Sequence, residues 1–151
     1  MTQHQILCDH AFTKGLIAEQ VYALAGLASE VSFDAEELIL RDGQHSRHFY
    51  MIISGSVAVE LRTSAYVVCV QALGPGDVFG WSALLTCHDT LFQVRAREAT
   101  TALCLEGAAL KSLFDADPVL RAEVLERALR VVAGRVRAVE LRFAEMCGVR
   151  I

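Results

Sequence analysis

The chain has little proline and no long apolar run. Only two of its 151 residues are proline and 21% are charged, whereas 54% are hydrophobic. This balance excludes a disordered or low-complexity chain, because such chains are poor in apolar residues. No run of about 18 apolar residues occurs, and residues 1–9 lack the basic and then apolar layout of a signal peptide. The sequence therefore predicts a soluble, cytoplasmic protein that does not enter a membrane.

Paired cysteines and metal-binding motifs are also missing. The five cysteines are an odd number and no two are spaced as Cys-x-x-Cys, so we expect reduced thiols and no structural zinc. His45 and His48 precede a predicted strand, but residues 49–53 contain no carboxylate that would complete a metal site. No Gly-x-Ser-x-Gly motif is present. The sequence predicts a protein that is not an enzyme and holds no metal.

Positive charge is scarce outside the C-terminal segment. Residues 118–151 hold seven arginines and four glutamates, so a net charge of −4 for the whole chain leaves −7 on the rest. Mixed charge on a helix is typical of a solvated face. Because the remainder is acidic, we expect no direct DNA binding.

The order of patterns along the chain is helical, then β-rich, then helical. Apolar spacing predicts an amphipathic helix over residues 13–29 with Thr13 as its N-cap. From Val31 to Glu106, short strands alternate with turn residues and no helices intervene, which favours a sandwich or barrel over a parallel α/β fold. We expect one domain over residues 1–151, with a helical segment over 1–30, β-structure over 31–106 and C-terminal helices over 107–151. The predicted strands are Glu37–Leu40, Phe49–Ile53, Val57–Arg62, Tyr66–Leu73, Phe92–Ala96 and Thr100–Leu105.

The C-terminal segment has the clearest pattern. Asp117 is a predicted N-cap and Pro118 suits the first helical position. One apolar stripe, here called the seam, repeats at alternating spacings of three and four: Ala122, Leu125, Leu129, Val132, Val136, Val139, Phe143 and Met146. A second, here called the body stripe, contains Leu120, Val124, Ala128 and Val131. Because two apolar stripes need two partners, we expect the body stripe to pack on the domain and the seam to form a homodimer.

Two stretches of the β-rich part carry a family resemblance. The first runs from Phe33 to Gly43 and continues from Phe49 through Ile-Ser-Gly55 to Val59. The second is Leu73-Gly-Pro-Gly-Asp-Val-Phe-Gly80, followed by Trp81-Ser-Ala-Leu-Leu85 and by Val94-Arg-Ala96. Together they resemble the cyclic nucleotide-binding domain of the catabolite activator and related bacterial regulators.

The resemblance implies a mainly β fold with flanking helices. Its core is a jelly roll (double-stranded β-helix) of about eight strands. A short helix after the Phe-Gly pair holds the ligand and offers backbone N–H groups to an anion. A long C-terminal helix forms the dimer and closes over the pocket. Only five residues follow Met146, so we expect a short form without the family's DNA-binding domain, unless the chain is a fragment of a longer protein.

The resemblance also implies a ligand pocket, and here this chain departs from the family. The family's ribose-binding Glu follows Phe-Gly, and that position is Trp81 here; its phosphate-binding Arg falls at Thr90. Losing both contacts costs several kcal/mol, so ordinary high-affinity binding of cAMP or cGMP is not expected. The predicted ligand-binding residues are Phe79, Gly80, Trp81, Ser82, Ala83, Thr90, Leu91 and Arg135.

Three residues near this pocket have two interpretations each. Trp81 is either a stacking platform for a different ligand or a plug that fills the vacated space. Arg135 lies where the family's long helix approaches the ligand, and it either points its charge into the pocket or forms an interhelical ion pair. Arg95 is either a substitute for the missing cation or, as its place on a strand favours, an outward-facing or salt-bridged residue.

These observations predict a non-catalytic, dimeric regulatory or sensor domain with a modified pocket. It binds a small effector other than cAMP, or binds cAMP weakly, and a partner protein reads the resulting shift of the long helix. One alternative is an interaction module with a vestigial pocket. Another is a haem-based gas sensor that uses Cys87 or His88, since both side chains ligate haem iron.

Overall fold

The computed structural model describes residues 1–85 and 89–148. Four α-helices flank the strands: α1 (Gln3–Asp9), α2 (Ala18–Ala25), α3 (Gly107–Ala116) and α4 (Pro118–Met146). A 3₁₀ helix covers Trp81–Leu84. The strands are β1 (Ala28–Phe33), β2 (Leu38–Leu40), β3 (His48–Ser54), β4 (Val57–Arg62), β5 (Val67–Leu73), β6 (Val78–Phe79), β7 (Phe92–Ala96) and β8 (Thr100–Glu106).

The strands form two antiparallel sheets of four strands each. Their orders are β1-β8-β3-β6 and β2-β7-β4-β5. Strands β4 and β5, which follow each other in the chain, pair as a hairpin with Val57 opposite Leu73. This is the jelly roll with flanking helices that the sequence predicts. Along the described ranges, no helix combines the length and the apolar character needed to cross a membrane.

Strand β3 shows where the two cores lie. Its side chains alternate between two buried clusters, because successive residues of a strand point to opposite faces. Phe49 and Met51 pack with residues of the helices, including Leu7 and Leu120. Tyr50 and Ile52 pack between the two sheets with Val57, Val59 and Phe79. The roll is therefore filled on the inside and covered by helices on one outer face.

The predicted helix over residues 13–29 is too long at both ends. The chain turns at Gly15, whose φ is +93°, and α2 begins only at Ala18 with Ile17 as its N-cap. Thr13 is not a cap, since its buried hydroxyl donates to the carbonyl of Leu7. At the other end, Ala28 pairs with Leu105 in β8, so cross-strand pairing overrides the helical spacing there.

Helix α4 is attached to the body in two different ways. The predicted cap is confirmed, because Oδ1 of Asp117 accepts a hydrogen bond from the N–H of Leu120 at 3.1 Å. Over the first three turns the body stripe packs on the domain, and Leu120, Val124 and Ala128 are buried. Further along, two arginines reach β5: Arg135 bonds the Gln71 side chain and Arg142 bonds the carbonyl of Cys69. Apolar packing thus gives way to polar contacts along the helix.

The seam lies on the outside of the described chain. Leu129 is 67% exposed, Phe143 68% and Met146 73%. These values contrast with those of the body stripe, where Leu120 is fully buried. The two stripes that the sequence distinguishes therefore face different surroundings.

Candidate functional site

One small cavity gathers six of the eight predicted ligand-binding residues, between the end of β6 and helix α4. Its volume is about 30 Å³, room for a water molecule or two. Pockets for drug-sized ligands are roughly ten times larger or more. The described pocket is therefore closed to a nucleotide. Its lining is Leu40, Phe79, Gly80, Trp81, Ser82, Thr90, Phe92, Val94 and Arg135.

Gly80 fixes how the chain enters this cavity. Its φ is +78°, in the left-handed region that favours glycine. A Cβ at this position would lie 2.5 Å from the carbonyl oxygen of His48. The turn places Trp81 at the start of the 3₁₀ helix, and the Ser82 hydroxyl accepts a hydrogen bond from the N–H of Ser46 at 3.1 Å. The Phe-Gly pair therefore aims the following residues at the cavity through backbone geometry.

Trp81 is the residue that the family resemblance matches to a ribose-binding Glu. It is half-buried, lines the cavity and packs against the cluster beneath the helices. An indole in place of a carboxylate offers no acceptor for a ribose hydroxyl, since its only polar hydrogen-bonding group is a donor. The cavity consequently has a more apolar wall than the family pattern implies.

Thr90 is the residue that the family resemblance matches to a phosphate-binding Arg. Its hydroxyl accepts a hydrogen bond from the N–H of Phe92 at 3.1 Å, and its carbonyl accepts one from Gly43. The side chain is thus engaged with the backbone of its own turn. It brings no charge to the cavity.

Arg135 brings the positive charge instead, from α4. The residue is 8% exposed, and it is the only charged residue that lines the cavity within the described chain. Its Nε donates a 2.7 Å hydrogen bond to Oε1 of Gln71, and its Cζ lies 5.9 Å from the ring centre of Phe92. Burial lowers the pKa of Arg135 to about 10, so it stays protonated at neutral pH. Of its two interpretations, the charge at the pocket matches this placement.

Two predicted residues lie away from the cavity. Ala83 is buried against Gly107, where an added Cβ would lie 2.6 Å from the carbonyl oxygen of Ala83. Leu91 is 74% exposed and does not line the cavity. The structure therefore places both outside the group that the other six form.

The substitute cation considered from the sequence, Arg95, is held elsewhere. Its Nε lies 3.3 Å from Oε1 of Glu60, and it also donates to the carbonyl of Glu36. This is the salt-bridged arrangement that its place on a strand favours. Arg95 is thus occupied outside the cavity.

The other candidate groups give no assembled site among the residues that the structure describes. In those ranges, no three His, Cys, Asp or Glu side chains come together as metal ligands. His45 instead places its Nε2 2.9 Å from the carbonyl of Leu85. Cys87 and His88, the proposed haem ligands, lie outside the described residues.

Besides the lining residues Leu40 and Val94, two contacts of Arg135 were not predicted from the sequence: Gln71 and Phe92. Apart from Cys69, Gln71 is the only polar residue in the otherwise apolar strand β5. This break in the apolar pattern is the one feature of the sequence that could have marked Gln71 as a functional residue. Nothing in the sequence distinguishes Phe92 from other apolar residues of a strand. Both gain their roles only because α4 crosses the roll and brings Arg135 to them.

Comparisons with known proteins show the family and the fold. A family model described as the cyclic nucleotide-binding domain matches residues 30–117, more than half of the chain. A cyclic nucleotide-binding domain from Methylobacillus flagellatus has 19% identity and a TM-score of 0.79, over 96% of this chain and 82% of that one. No curated protein matches.

Two structures of a kinase regulatory subunit are also similar. The regulatory subunit of a cAMP-independent protein kinase A from Trypanosoma brucei is 25% identical, with a TM-score of 0.72 over 85% of this chain and 46% of that chain. A triple mutant of that subunit, bound to cAMP in its A site, is 26% identical, with a TM-score of 0.70 over 84% and 46%. One of its three changes replaces a threonine by an arginine.

Proposed function

This chain belongs to the cyclic nucleotide-binding domain family, and on that premise we propose that it is a non-catalytic, dimeric regulatory domain with a modified pocket. The pocket does not take cAMP with the affinity usual in the family. It responds to a different small effector. The observation that carries the proposal is the exchange of polar groups around the cavity: Trp81 and Thr90 replace the family's carboxylate and cation, while Arg135 supplies a charge from α4.

The loss of nucleotide affinity follows from the missing contacts. Each hydrogen bond to a charged group contributes about 1.5–3 kcal/mol. Losing two of them weakens binding by about two to four powers of ten. The Trp81 side chain also occupies a wall of the cavity, whose volume of about 30 Å³ excludes a nucleotide unless the walls move.

A similar protein supports the idea that a domain with this fold can belong to a protein that cAMP does not regulate. The Trypanosoma brucei subunit is described as part of a cAMP-independent kinase, and its mutant bound to cAMP carries a threonine-to-arginine change. Thr90→Arg would make the same kind of change here. We therefore assign this chain to the members of the family whose pockets respond to something other than cAMP.

The exposed seam supports dimerisation through α4. Soluble monomers rarely expose contiguous apolar patches of large area. The seam repeats over about three heptads, as in two-helix coiled coils. A helix that joins two protomers by one stripe and a ligand-binding roll by the other would transmit movement of the pocket to the dimer.

Non-denaturing mass spectrometry of the protein alone, with cAMP and with cGMP tests the pocket. We expect a dimer that carries no nucleotide at concentrations where the family's ordinary members are saturated. A dimer with one nucleotide per protomer under those conditions would contradict the proposal. A related domain that binds cAMP serves as the positive control.

Charge placed on the seam tests the dimer. Leu129→Glu should convert the dimer to a monomer, because a carboxylate would be buried in the interface without a partner. Arg137→Glu, at an exposed position outside the seam, is the matched control and should remain dimeric. If both variants stay dimeric, α4 is not the interface.

A vestigial pocket is the second candidate function, and the closed cavity favours it. In that case Trp81 is a plug and the domain acts only through its protein contacts. Trp81→Ala distinguishes the two. The regulatory proposal expects the variant to change ligand binding, whereas a vestigial pocket expects no ligand for either form and an unchanged dimer.

A further inference from the structure

Arg135 is a buried cation whose contacts in the described chain are all uncharged. It touches the amide oxygen of Gln71 and the face of Phe92. Buried charges in proteins are normally paired. The described chain forms five salt bridges. In each of them an arginine pairs with a carboxylate that does not line this cavity. Arg135 therefore stands apart as a cation at a cavity without an anion.

The free part of the guanidinium determines which anion fits. Arginine has five N–H donors in one plane, and the Nε donor is the one that Gln71 accepts. Within the described ranges, Nη1 and Nη2 make no hydrogen bond. That edge of the plane presents two parallel N–H groups, the arrangement that binds both oxygens of a carboxylate.

The walls determine what else the ligand carries. Phe79, Trp81 and Phe92 contribute aromatic surface, and Leu40 and Val94 contribute aliphatic surface. Thr90 contributes a hydroxyl that already accepts a hydrogen bond from its own turn. With a single positive charge at the cavity, a ligand with one negative charge is neutralised, whereas a doubly charged phosphate monoester is not; the apolar walls and the missing ribose acceptor, rather than the charge, disfavour a singly charged cyclic phosphate.

We propose that the cavity takes a monocarboxylate with an apolar body, and that the carboxylate binds the Nη1 and Nη2 edge of Arg135. The inference rests on the proposed function, because it names the effector class of the same pocket. It moves charge recognition from the roll, where the family places it, to α4.

This placement ties binding to the position of α4. The cavity of about 30 Å³ has no room for the body of such a ligand, so the ligand enters only when the walls move apart. Arg135 is part of one of those walls and belongs to α4. Occupancy therefore requires α4 or Trp81 to shift relative to the roll.

The chain provides its own probe for this test. Trp81 is the only tryptophan and lines the cavity, so its fluorescence reports occupancy. Sodium benzoate is the probe ligand, and benzamide is its neutral control of nearly the same shape. Both are titrated at constant ionic strength, with isothermal calorimetry as a second readout that does not depend on Trp81.

Two arginine variants separate the site from general effects of charge. Arg135→Gln removes the cation at the cavity. Arg142→Gln removes the other arginine that α4 directs to β5, where it bonds the carbonyl of Cys69 away from the cavity. Circular dichroism confirms that both variants fold. If Arg135→Gln does not fold, Arg135→Lys replaces it, because a lysine keeps the charge but loses the two-pronged geometry.

We expect benzoate to bind wild type and Arg142→Gln equally. Benzamide with wild type, and benzoate with Arg135→Gln or Arg135→Lys, should each bind roughly ten- to a hundredfold more weakly. Equal binding of benzoate and benzamide, unchanged binding by the Arg135 variants, or no binding in either readout would overturn the inference. A chain that fails this test yet remains dimeric and ignores cAMP would leave the proposed function intact.

Discussion

Arg135 and Gln71 are joined by a 2.7 Å hydrogen bond from Nε to Oε1, across 64 positions of sequence. The acceptor is a neutral amide, so the bond places the guanidinium without neutralising it. A carboxylate at position 71 would have held the helix equally well and would have cancelled the charge. The pair therefore keeps α4 against β5 and leaves a positive charge at the cavity.

Replacing Gln71 tests this link. Gln71→Ala leaves the buried Nε without an acceptor, so we expect the free energy of unfolding to fall by about 1–3 kcal/mol. Gln71→Glu keeps an acceptor for Nε and should be at least as stable as wild type. Its carboxylate should also neutralise Arg135 and so abolish benzoate binding. Urea denaturation with an unchanged m-value measures the first effect. Equal stability of wild type and Gln71→Ala would show that the hydrogen bond between Arg135 and Gln71 does not stabilise the fold.

Restoring the family's two polar groups should restore nucleotide binding. Trp81→Glu supplies an acceptor for ribose and removes a bulky wall, and Thr90→Arg supplies a cation for the cyclic phosphate. The double variant should bind cAMP about two to four powers of ten more tightly than wild type, with each single variant in between. Calorimetry with cAMP measures it, and adenosine, which lacks the phosphate, controls for Thr90→Arg. A double variant no better than wild type would mean that the pocket differs by more than these two residues.

Gly80 should tolerate a side chain far less well than Gly43. Both have a positive φ, of +78° and +74°, but only Gly80 is crowded, by the carbonyl of His48 at 2.5 Å from an added Cβ. Gly43→Ala should cost about 1–2 kcal/mol of strain. Gly80→Ala should add about 1–3 kcal/mol of overpacking to a similar strain. Thermal denaturation of the two variants compares them, and equal losses would contradict the close contact.

His10 should make stability depend on pH. Its Nδ1 accepts from the N–H of Phe12 and its Nε2 faces the carbonyl of Ile52 at 3.0 Å, so the folded ring is neutral. Burial lowers its pKa below the ordinary 6.5, against smaller opposing effects of Ile52 and Asp77. Above pH 6.5 neither state binds the proton. As pH falls below 6.5, His10 binds a proton in the unfolded state but not in the folded state. The free energy of unfolding therefore decreases until the pH is below the pKa of His10 in the folded state.

Unfolding free energies between pH 7 and pH 5 measure this effect. Wild type should lose more stability on acidification than His10→Gln, whose amide can serve both partners without titrating. The comparison concerns slopes, since the substitution itself shifts absolute stability. Parallel curves for the two proteins would show that His10 does not contribute.

The strands were predictable where apolar alternation is bounded by turn residues. The bounds of β4 and β7 agree with the prediction, and the others differ by one or two residues. The sequence did not predict β1 or β6. Half of the residues of strand β1 are polar, and its whole length pairs with β8. Strand β6 has only two residues, too few for a periodic signal.

The site was predictable only where a motif or a helix marked it. Phe79 and Gly80 belong to the motif, and Arg135 was predicted because the family resemblance brings that part of the long helix near the ligand. Gln71 and Phe92 were not predicted, because their roles depend on how α4 lies across the roll. Leu91 was included for its position in the family pattern, but the local turn around Thr90 leaves it 74% exposed.

The two-part attachment of α4 has a mechanical consequence. From Ala128, the last fully packed residue of the body stripe, to Met146 is about 27 Å of helix at 1.5 Å per residue. A tilt of about 10° about Ala128 therefore displaces the end of the helix by about 5 Å. Along that length Val131 packs against the core near the start, and further on the described polar contacts with the roll are those of Arg135 and Arg142. If the proposed movement of α4 occurs, an adjustment of atomic size at the cavity would be amplified toward the end of the helix, to a displacement large enough for a neighbouring protein to detect.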